Sequence, residues 1–164
     1  MTYTALILGI AKTVGVPGSL LLAICTHESH LTNVIAQHDH GSPSYGLCQI
    51  KEDTAKSLGF TGPATGPTVP SEKFADSSKP EGNGIGLMDP ATNIKYSALY
   101  LKSKLDQYDG DWCKATASYN SGTYRESKKS AGKPVNLKYV KGVTLLLDDE
   151  HKDFLICGPR EIEE

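Results

Sequence analysis

The sequence has no surplus of basic residues, no long apolar run and no internal repeat. Its 164 residues carry 17 Lys and Arg against 19 Asp and Glu, which gives a formal charge of −2. Because nucleic acids and anionic surfaces are recognised by clustered positive charge, we expect no nucleic-acid partner. No stretch approaches the roughly 20 apolar residues of a membrane span, so we also expect no stable membrane insertion.

The amino-terminal segment is apolar but makes a poor secretory signal. It lacks a positively charged start, and Lys12 interrupts it before any small-residue cleavage site. The pattern instead predicts a first helix over residues 3–13, with Leu6, Ile10 and Thr13 on one stripe. We therefore expect export by another route, or a leader that this sequence does not carry.

The four cysteines, Cys25, Cys48, Cys113 and Cys157, match no zinc-ribbon or CxxC spacing. A chain of this length can bury a core without a disulfide framework, so buried reduced thiols are the expectation. The same length predicts a single domain over residues 1–164.

The remaining pattern predicts a mainly α domain of α+β type. Apolar periodicity predicts further helices over residues 17–30, 53–58, 90–108, 111–119 and 136–147. Their expected starts carry capping residues at Ser19, Asp53, Asp89 and Asp111. Residues 33–50 predict a loop or short β-hairpin, and the charged residues 148–164 a loose tail. Ten of the 31 residues at 59–89 are Gly or Pro, which predicts a long irregular loop that acts as a lid or binding loop.

One carboxylate stands out in the second helix. Leu21, Ile24 and Glu28 fall at i, i+3 and i+7, so Glu28 shares a stripe with apolar residues. Burial of a carboxylate is costly and raises its pKa, which suits a general acid that holds its proton near neutral pH. The alternative is that Glu28, near the helix end, reaches solvent.

Four motifs follow one another within residues 14–125: Glu28-Ser29, SYGLCQI at 44–50, DPATNI at 89–94 and ASYNSG at 117–122. In this order they resemble the lysozyme superfamily, and within it the SLT-type lytic transglycosylases and the goose-type lysozymes. The resemblance implies a lysozyme-like fold and a partner in the glycan strands of peptidoglycan. It implies cleavage of the MurNAc-β-1,4-GlcNAc bond, and we expect no cofactor and no metal.

The resemblance also implies roles for single residues. Glu28 is the general acid and then the base. Ser44 stands where animal-type lysozymes carry a second carboxylate, and a serine cannot replace it. Loss of that acid is the pattern of lytic transglycosylases, whose substrate uses its own N-acetyl group and 6-hydroxyl to form 1,6-anhydro-MurNAc ends. The implied substrate-binding residues are Ser44, Tyr45, Gln49, Tyr119 and Asn120.

Three alternatives remain open. Asp39 can position a water, as an Asp does in goose-type lysozymes, which makes the enzyme an inverting hydrolase; it can equally be a turn-forming residue. A protein on the same scaffold can bind glycan without cutting it. Finally, a zinc site can use the neighbouring histidines His27, His30, His38 and His40 beside Cys25 and Glu28.

Two further expectations follow from the resemblance. Cys48 replaces the usual methionine beside Gln49; if Cys25, one turn before Glu28, meets it, a disulfide forms in an oxidising compartment. A small monomeric enzyme that acts in the periplasm or cell wall and lacks a convincing signal peptide also suits a phage origin, as a virion-associated enzyme or endolysin.

Overall fold

The described residues form α-helices and two small antiparallel sheets. The structure, a computed structural model, describes residues 1–69, 81–82 and 84–158. The α-helices of these residues are α1 (Tyr3–Val14), α2 (Gly18–Ser29), α3 (Glu52–Ser57), α4 (Pro90–Gln107), α5 (Trp112–Ser121) and α6 (Leu137–Thr144). The strands are β1 (Ile35–Asp39), β2 (Ser42–Tyr45), β3 (Ile50–Lys51), β4 (Thr68–Val69) and β5 (Glu81–Gly82).

The mainly α fold predicted from the sequence is confirmed. The strands β1, β2 and β3 form one antiparallel sheet in that order, and β4 pairs with β5. Short 3₁₀ helices lie at Gly86–Met88 and Lys152–Phe154. In the described part of the chain, no helix is both long and apolar enough to cross a membrane.

The chain divides into two compact units, residues 1–100 and residues 101–164, with the boundary inside α4. In the first unit, α1 packs on α2, whose residues Leu20, Leu21 and Ile24 are fully buried. A second cluster gathers around the sheet and α3 and consists of Ile35, Tyr45, Ile50, Ala55, Phe60, Ala64, Leu87 and Met88. The prediction of a single catalytic domain stays a prediction.

The predicted stripe of α1 is wrong by one position. Ile7 and Ala11 are fully buried, whereas Thr13 is exposed and Leu6 and Ile10 are half-buried. This short helix carries apolar residues on several of its sides, so their periodicity alone does not show which side is buried. The packing of α1 on α2 determines the buried side.

Two of the predicted helix caps are confirmed and two are wrong. Asp89 accepts a hydrogen bond from the Thr92 backbone N–H at 3.0 Å, and Asp111 accepts one from that of Lys114 at 3.0 Å. The N-caps of α2 and α3 are instead Pro17 and Lys51, and neither helix start has a side-chain cap. Ser19 and Asp53 therefore lie inside the first turns, where Asp53 favourably meets the positive end of the α3 dipole.

The Gly- and Pro-rich segment 59–89 contains more regular structure than its composition predicts. It includes β4, β5 and the 3₁₀ helix Gly86–Met88, while residues 70–80 and 83 lie outside the described residues. Gly86 has a φ of 63°, and a Cβ at this position would lie 1.9 Å from the Pro63 carbonyl oxygen. Only glycine fits this close approach of two backbone segments.

The expectation of reduced thiols is wrong. Cys25 is bonded to Cys48 in the first unit and Cys113 to Cys157 in the second. The second bond closes a loop with a sequence separation of 44 and holds much of the segment predicted as a loose tail. Leu155 of this segment is buried, and residues 159–164 lie outside the described part.

Candidate active site

Glu28 lies in the last turn of α2 and is half-buried. The apolar residues before it on the stripe, Leu21 and Ile24, are fully buried, as the spacing predicts. The helix ends immediately after it, because His30 takes the left-handed conformation with a φ of 52° and donates its N–H to the Thr26 carbonyl at 2.8 Å. Glu28 thus stands where the chain turns from the buried helix toward the sheet.

The turn between β2 and β3, residues 46–49, is fastened to this helix end in two places. Cys48 forms the disulfide with Cys25, and the buried Ser29 hydroxyl donates to the Leu47 carbonyl at 2.6 Å. Cys25 and Ser29 are four residues apart and therefore share one side of α2. Glu28 is the neighbour of Ser29, so the β2–β3 turn is attached directly beside the candidate catalytic carboxylate.

Asn93 holds the same turn from α4. Its side chain is 0% exposed, and its amide nitrogen donates to the carbonyls of Tyr45 at 2.7 Å and Leu87 at 2.9 Å. Its amide oxygen accepts the Cys48 backbone N–H at 3.0 Å. A Cβ at Gly46 would lie 2.3 Å from the Asn93 nitrogen, which explains a glycine at that position. The sequence alone gives Asn93 no assigned role, although its place in the DPATNI motif is a signal of one.

Gln49 is part of the turn's internal hydrogen bonding. It has a φ of 53°, and its amide nitrogen donates to the carbonyls of Val34 at 2.9 Å and Gly46 at 2.8 Å. Both N–H groups of the amide are therefore used within the protein. A contact of Gln49 with the substrate stays a prediction. Such a contact would use the amide oxygen, because both amide N–H groups bond within the protein.

Ser44 and Asp39 meet across the hairpin. The Ser44 hydroxyl, 1% exposed, donates to Asp39 Oδ2 at 2.6 Å. His40 Nε2 lies 3.8 Å from the other oxygen of the same carboxylate, and the Lys51 ammonium donates to the Asp39 carbonyl. The Asp39 carboxylate therefore lies within hydrogen-bonding distance of Ser44, and a role of either residue in catalysis stays a prediction.

Tyr45 lies in the hydrophobic cluster around the sheet and is 9% exposed. Burial raises the pKa of its phenol, and the nearby negative charge of Glu52 raises it further. The phenol is therefore un-ionised at neutral pH and available only as a neutral hydroxyl. Its expected place in a substrate cleft stays a prediction.

Tyr119 and Asn120 belong to α5, in the second unit. Tyr119 is buried, and Asn120 is exposed and accepts a hydrogen bond from the Asn136 amide at 3.0 Å. The helix ends one residue later, with Gly122 as its C-cap at a φ of 81°. Asn120 therefore does not cap the helix, and the contact of both residues with substrate stays a prediction.

The histidine-rich segment does not assemble a metal site in the described residues. No group of three or more His, Cys, Asp or Glu side chains among them is arranged to hold a metal ion. Cys25 is in a disulfide and cannot act as a thiolate ligand. Burial lowers the pKa of His27, and the neighbouring His30 lowers it further.

Comparison with known proteins identifies the family. Residues 5–139 match the transglycosylase SLT domain, so the chain belongs to that family. Among solved structures, an inactive mutant of the lytic transglycosylase Slt from Pseudomonas aeruginosa has a similar fold, with a TM-score of 0.51 and 19% sequence identity. The similarity covers 92% of this chain but only 22% of the Pseudomonas chain. This chain thus corresponds to about a fifth of that larger protein. The lysozyme-like resemblance seen in the sequence is confirmed.

Proposed function

We propose that the protein is a lytic transglycosylase that cleaves the MurNAc-β-1,4-GlcNAc bond of peptidoglycan, with Glu28 as its single general acid and base. The observation that carries this proposal is the position of Glu28 in an SLT-family chain: half-buried at the end of α2, beside a turn fastened to that helix by Cys25–Cys48 and by Ser29. The Pseudomonas neighbour gives further support, since its inactive form carries glutamine in place of one glutamate.

In the proposed reaction, the Glu28 carboxyl donates its proton to the glycosidic oxygen as the bond to the anomeric carbon of MurNAc breaks. The N-acetyl group of that sugar stabilises the positive charge that develops on the anomeric carbon. The Glu28 carboxylate then accepts the proton of the MurNAc 6-hydroxyl, whose oxygen bonds to the anomeric carbon. The 1,6-anhydro end forms without water, and Glu28 regains its proton.

A rigid α2 end favours this use of one residue twice. Catalysis requires the carboxyl to reach first the glycosidic oxygen and then the 6-hydroxyl, so its position has to be held closely. The disulfide, the Ser29 bond and the bonds of Asn93 to Tyr45 and Cys48 restrict the β2–β3 turn on one side of Glu28. This network supports an active-site role for the junction of α2 and the turn.

The disulfides support action outside the reducing cytosol. Such bonds persist in oxidising compartments, which include the bacterial periplasm and the cell exterior, where peptidoglycan is found. We therefore propose that the enzyme works in the periplasm or at the cell wall. That it is a monomer stays a prediction from the sequence. A phage origin remains part of the sequence-based prediction.

The test is mass spectrometry of the muropeptides released from purified peptidoglycan. We expect products with 1,6-anhydro ends, each one water lighter than the hydrolysed form. Glu28→Gln keeps the size and removes the acid, so we expect it to release less product by about 100-fold or more. Equal release by wild type and Glu28→Gln contradicts the assignment of Glu28, and absence of any product leaves a glycan-binding scaffold.

One observation favours a second candidate, an inverting muramidase. The Asp39 carboxylate accepts a hydrogen bond from Ser44, the residue that, by the sequence resemblance, stands in the place of the second acid of animal-type lysozymes. If Asp39 positions a water, the products carry reducing ends, and Asp39→Asn abolishes their formation. If the transglycosylase mechanism holds, Asp39→Asn still yields anhydro ends, because no water takes part.

A further inference from the structure

A concave site lies in the carboxy-terminal unit, at the start of α5. Its cavity measures about 320 Å³, at the lower end of the range for small-molecule sites. Its walls include Trp112 and Phe154, the apolar side chain of Ile156, and the carboxylates of Asp109, Asp111 and Asp153. Trp112 and Tyr119 are seven positions apart on α5, about 10 Å along its axis. The cavity is thus at the opposite end of α5 from the ASYNSG motif.

The aromatic wall is held in place by its own packing. The rings of Trp112 and Phe154 have centroids 5.3 Å apart at an angle of 33°, and His151 stacks almost parallel on Trp112 at 6.3 Å. Phe154 is nevertheless 60% exposed. A large aromatic ring that stays exposed at the edge of a concavity offers its apolar face to a ligand, because the packing of the ring does not bury that face.

The disulfide Cys113–Cys157 builds this cavity. Cys113 follows Trp112, and Cys157 lies between Ile156 and Gly158, both of which line the cavity. The bond therefore brings the carboxy-terminal segment against the start of α5 and keeps the two walls together. Preorganised walls reduce the entropy lost when a ligand binds.

The polar groups of the wall define the chemistry of the ligand. Carboxylates only accept hydrogen bonds, and the described residues that line the cavity include no Lys, Arg or His. Three acidic and no basic residues line the cavity, so its charge disfavours anions such as phosphates and carboxylates and favours a ligand that donates hydrogen bonds. Asp111 uses one carboxylate oxygen to cap α5 by accepting the Lys114 N–H, so we take Asp109 and Asp153 as the acceptors for the ligand. Among the described residues no three acidic groups converge as a metal requires, which favours donors spread around a ring over a single cation.

We propose that this cavity binds one N-acetylhexosamine ring of a glycan strand, outside the catalytic site. The ring would place its apolar C–H face on Trp112 and Phe154 and donate hydroxyl hydrogen bonds to Asp109 and Asp153. The identity of the strand as peptidoglycan rests on the proposed function, whereas the assignment of a sugar site does not. A second point of attachment raises the effective concentration of enzyme on an insoluble polymer.

Trp112 is the single tryptophan of the chain, so intrinsic fluorescence reports on this cavity directly. The probe is the soluble trisaccharide of β-1,4-linked N-acetylglucosamine, titrated into wild type and into Glu28→Gln. We expect saturable changes in Trp112 emission in both. Asp153→Asn should weaken binding about tenfold and Phe154→Ala about fivefold. The control is Asp149→Asn, which makes the same charge change in the same segment. Asp149 is exposed and pairs with Lys152, so this replacement should leave the affinity for the trisaccharide unchanged.

Either of two results of the binding experiment overturns the proposal. One is no change in Trp112 emission up to about 10 mM trisaccharide, where even a millimolar site is filled. The other is equal affinity in wild type, Asp153→Asn and Phe154→Ala, which places the sugar elsewhere.

Activity measurements distinguish a failure of the sugar site from a failure of the proposed function. With both intact, Asp153→Asn digests insoluble peptidoglycan more slowly than wild type but cleaves soluble muropeptides at the wild-type rate. A Trp112 response without any cleavage supports the sugar site and contradicts the enzyme. Cleavage that is equal for Asp153→Asn and wild type on both substrates contradicts the sugar site and leaves the enzyme.

Discussion

At the scale of single residues, the candidate site depends on polar side chains that satisfy buried backbone groups. Asn93 and Ser29 are buried, and both bond to backbone groups at the β2–β3 turn rather than to other side chains. Asn93 also bonds to the Leu87 carbonyl. A buried backbone group without a partner costs free energy, so each of these side chains contributes most through what its loss would leave unpaired.

Replacement of Asn93 by alanine is expected to lower the free energy of unfolding by about 3 kcal/mol, because it leaves the Cys48 N–H and the Tyr45 and Leu87 carbonyls without these bonds. Urea unfolding measures the loss. The matched control is Asn33→Ala, which removes one bond, to the Met88 carbonyl at 2.8 Å, and should cost about 1 kcal/mol. Equal losses for the two variants would contradict the special position of Asn93.

His27 makes stability depend on pH. Burial and His30 lower its pKa below the ordinary value of 6.5, so the unfolded chain binds this proton more readily than the native protein. The part of the stability that depends on neutral His27 is therefore fully present above pH 6.5. It is lost as the pH falls through that value toward the lowered native pKa. His27→Gln should remove this part of the slope. Urea unfolding at several pH values compares the two, and the other four histidines are common to both. Parallel curves would contradict the prediction.

At the scale of elements, two cross-links hold segments that secondary structure alone leaves separate. Cys25–Cys48 ties α2 to the β2–β3 turn, and Cys113–Cys157 ties α5 to the carboxy-terminal segment. The first lies beside Glu28 and the second beside the cavity at Trp112. Each therefore stabilises a different candidate site.

The double replacement Cys25→Ser and Cys48→Ser should lower the free energy of unfolding by about 3 kcal/mol, through the entropy that the open loop gains in the unfolded chain. Because the turn beside Glu28 is loosened, activity on soluble muropeptides should fall as well. The matched control is Cys113→Ser with Cys157→Ser, whose longer loop gives a loss of about 4 kcal/mol. Under conditions where it remains folded, this control should weaken trisaccharide binding and retain the cleavage of soluble muropeptides. Equal activity losses for the two pairs would contradict this division.

At the scale of the whole molecule, the sequence predicted the class of fold and most of its helices. The helix starts at Asp89 and Asp111 each depend on a carboxylate and on N–H groups within four residues of it. Both starts could therefore be predicted from the sequence. The SLT family was visible in the order of four short motifs and is confirmed by the match over residues 5–139.

The side chains around Glu28 were harder to predict. Gln49 and Ser44 were expected to face substrate, yet their donors bond to Val34, Gly46 and Asp39. A motif contains the same types of hydrogen-bonding residue whether these residues bond to the backbone or bind a ligand. Only the distance to a partner, brought close by folding, distinguishes the two uses.

The sequence by itself determined what depends on neighbours along the chain: the helix periods, two of the caps, the position of Glu28 at the end of an apolar stripe, and the family. The tertiary structure alone decided the two disulfides, the buried side of α1, the three bonds of Asn93 and the cavity at Trp112. The reason is physical, since contacts between residues distant in sequence form only when the burial of the core outweighs the entropy of closing the loops between them.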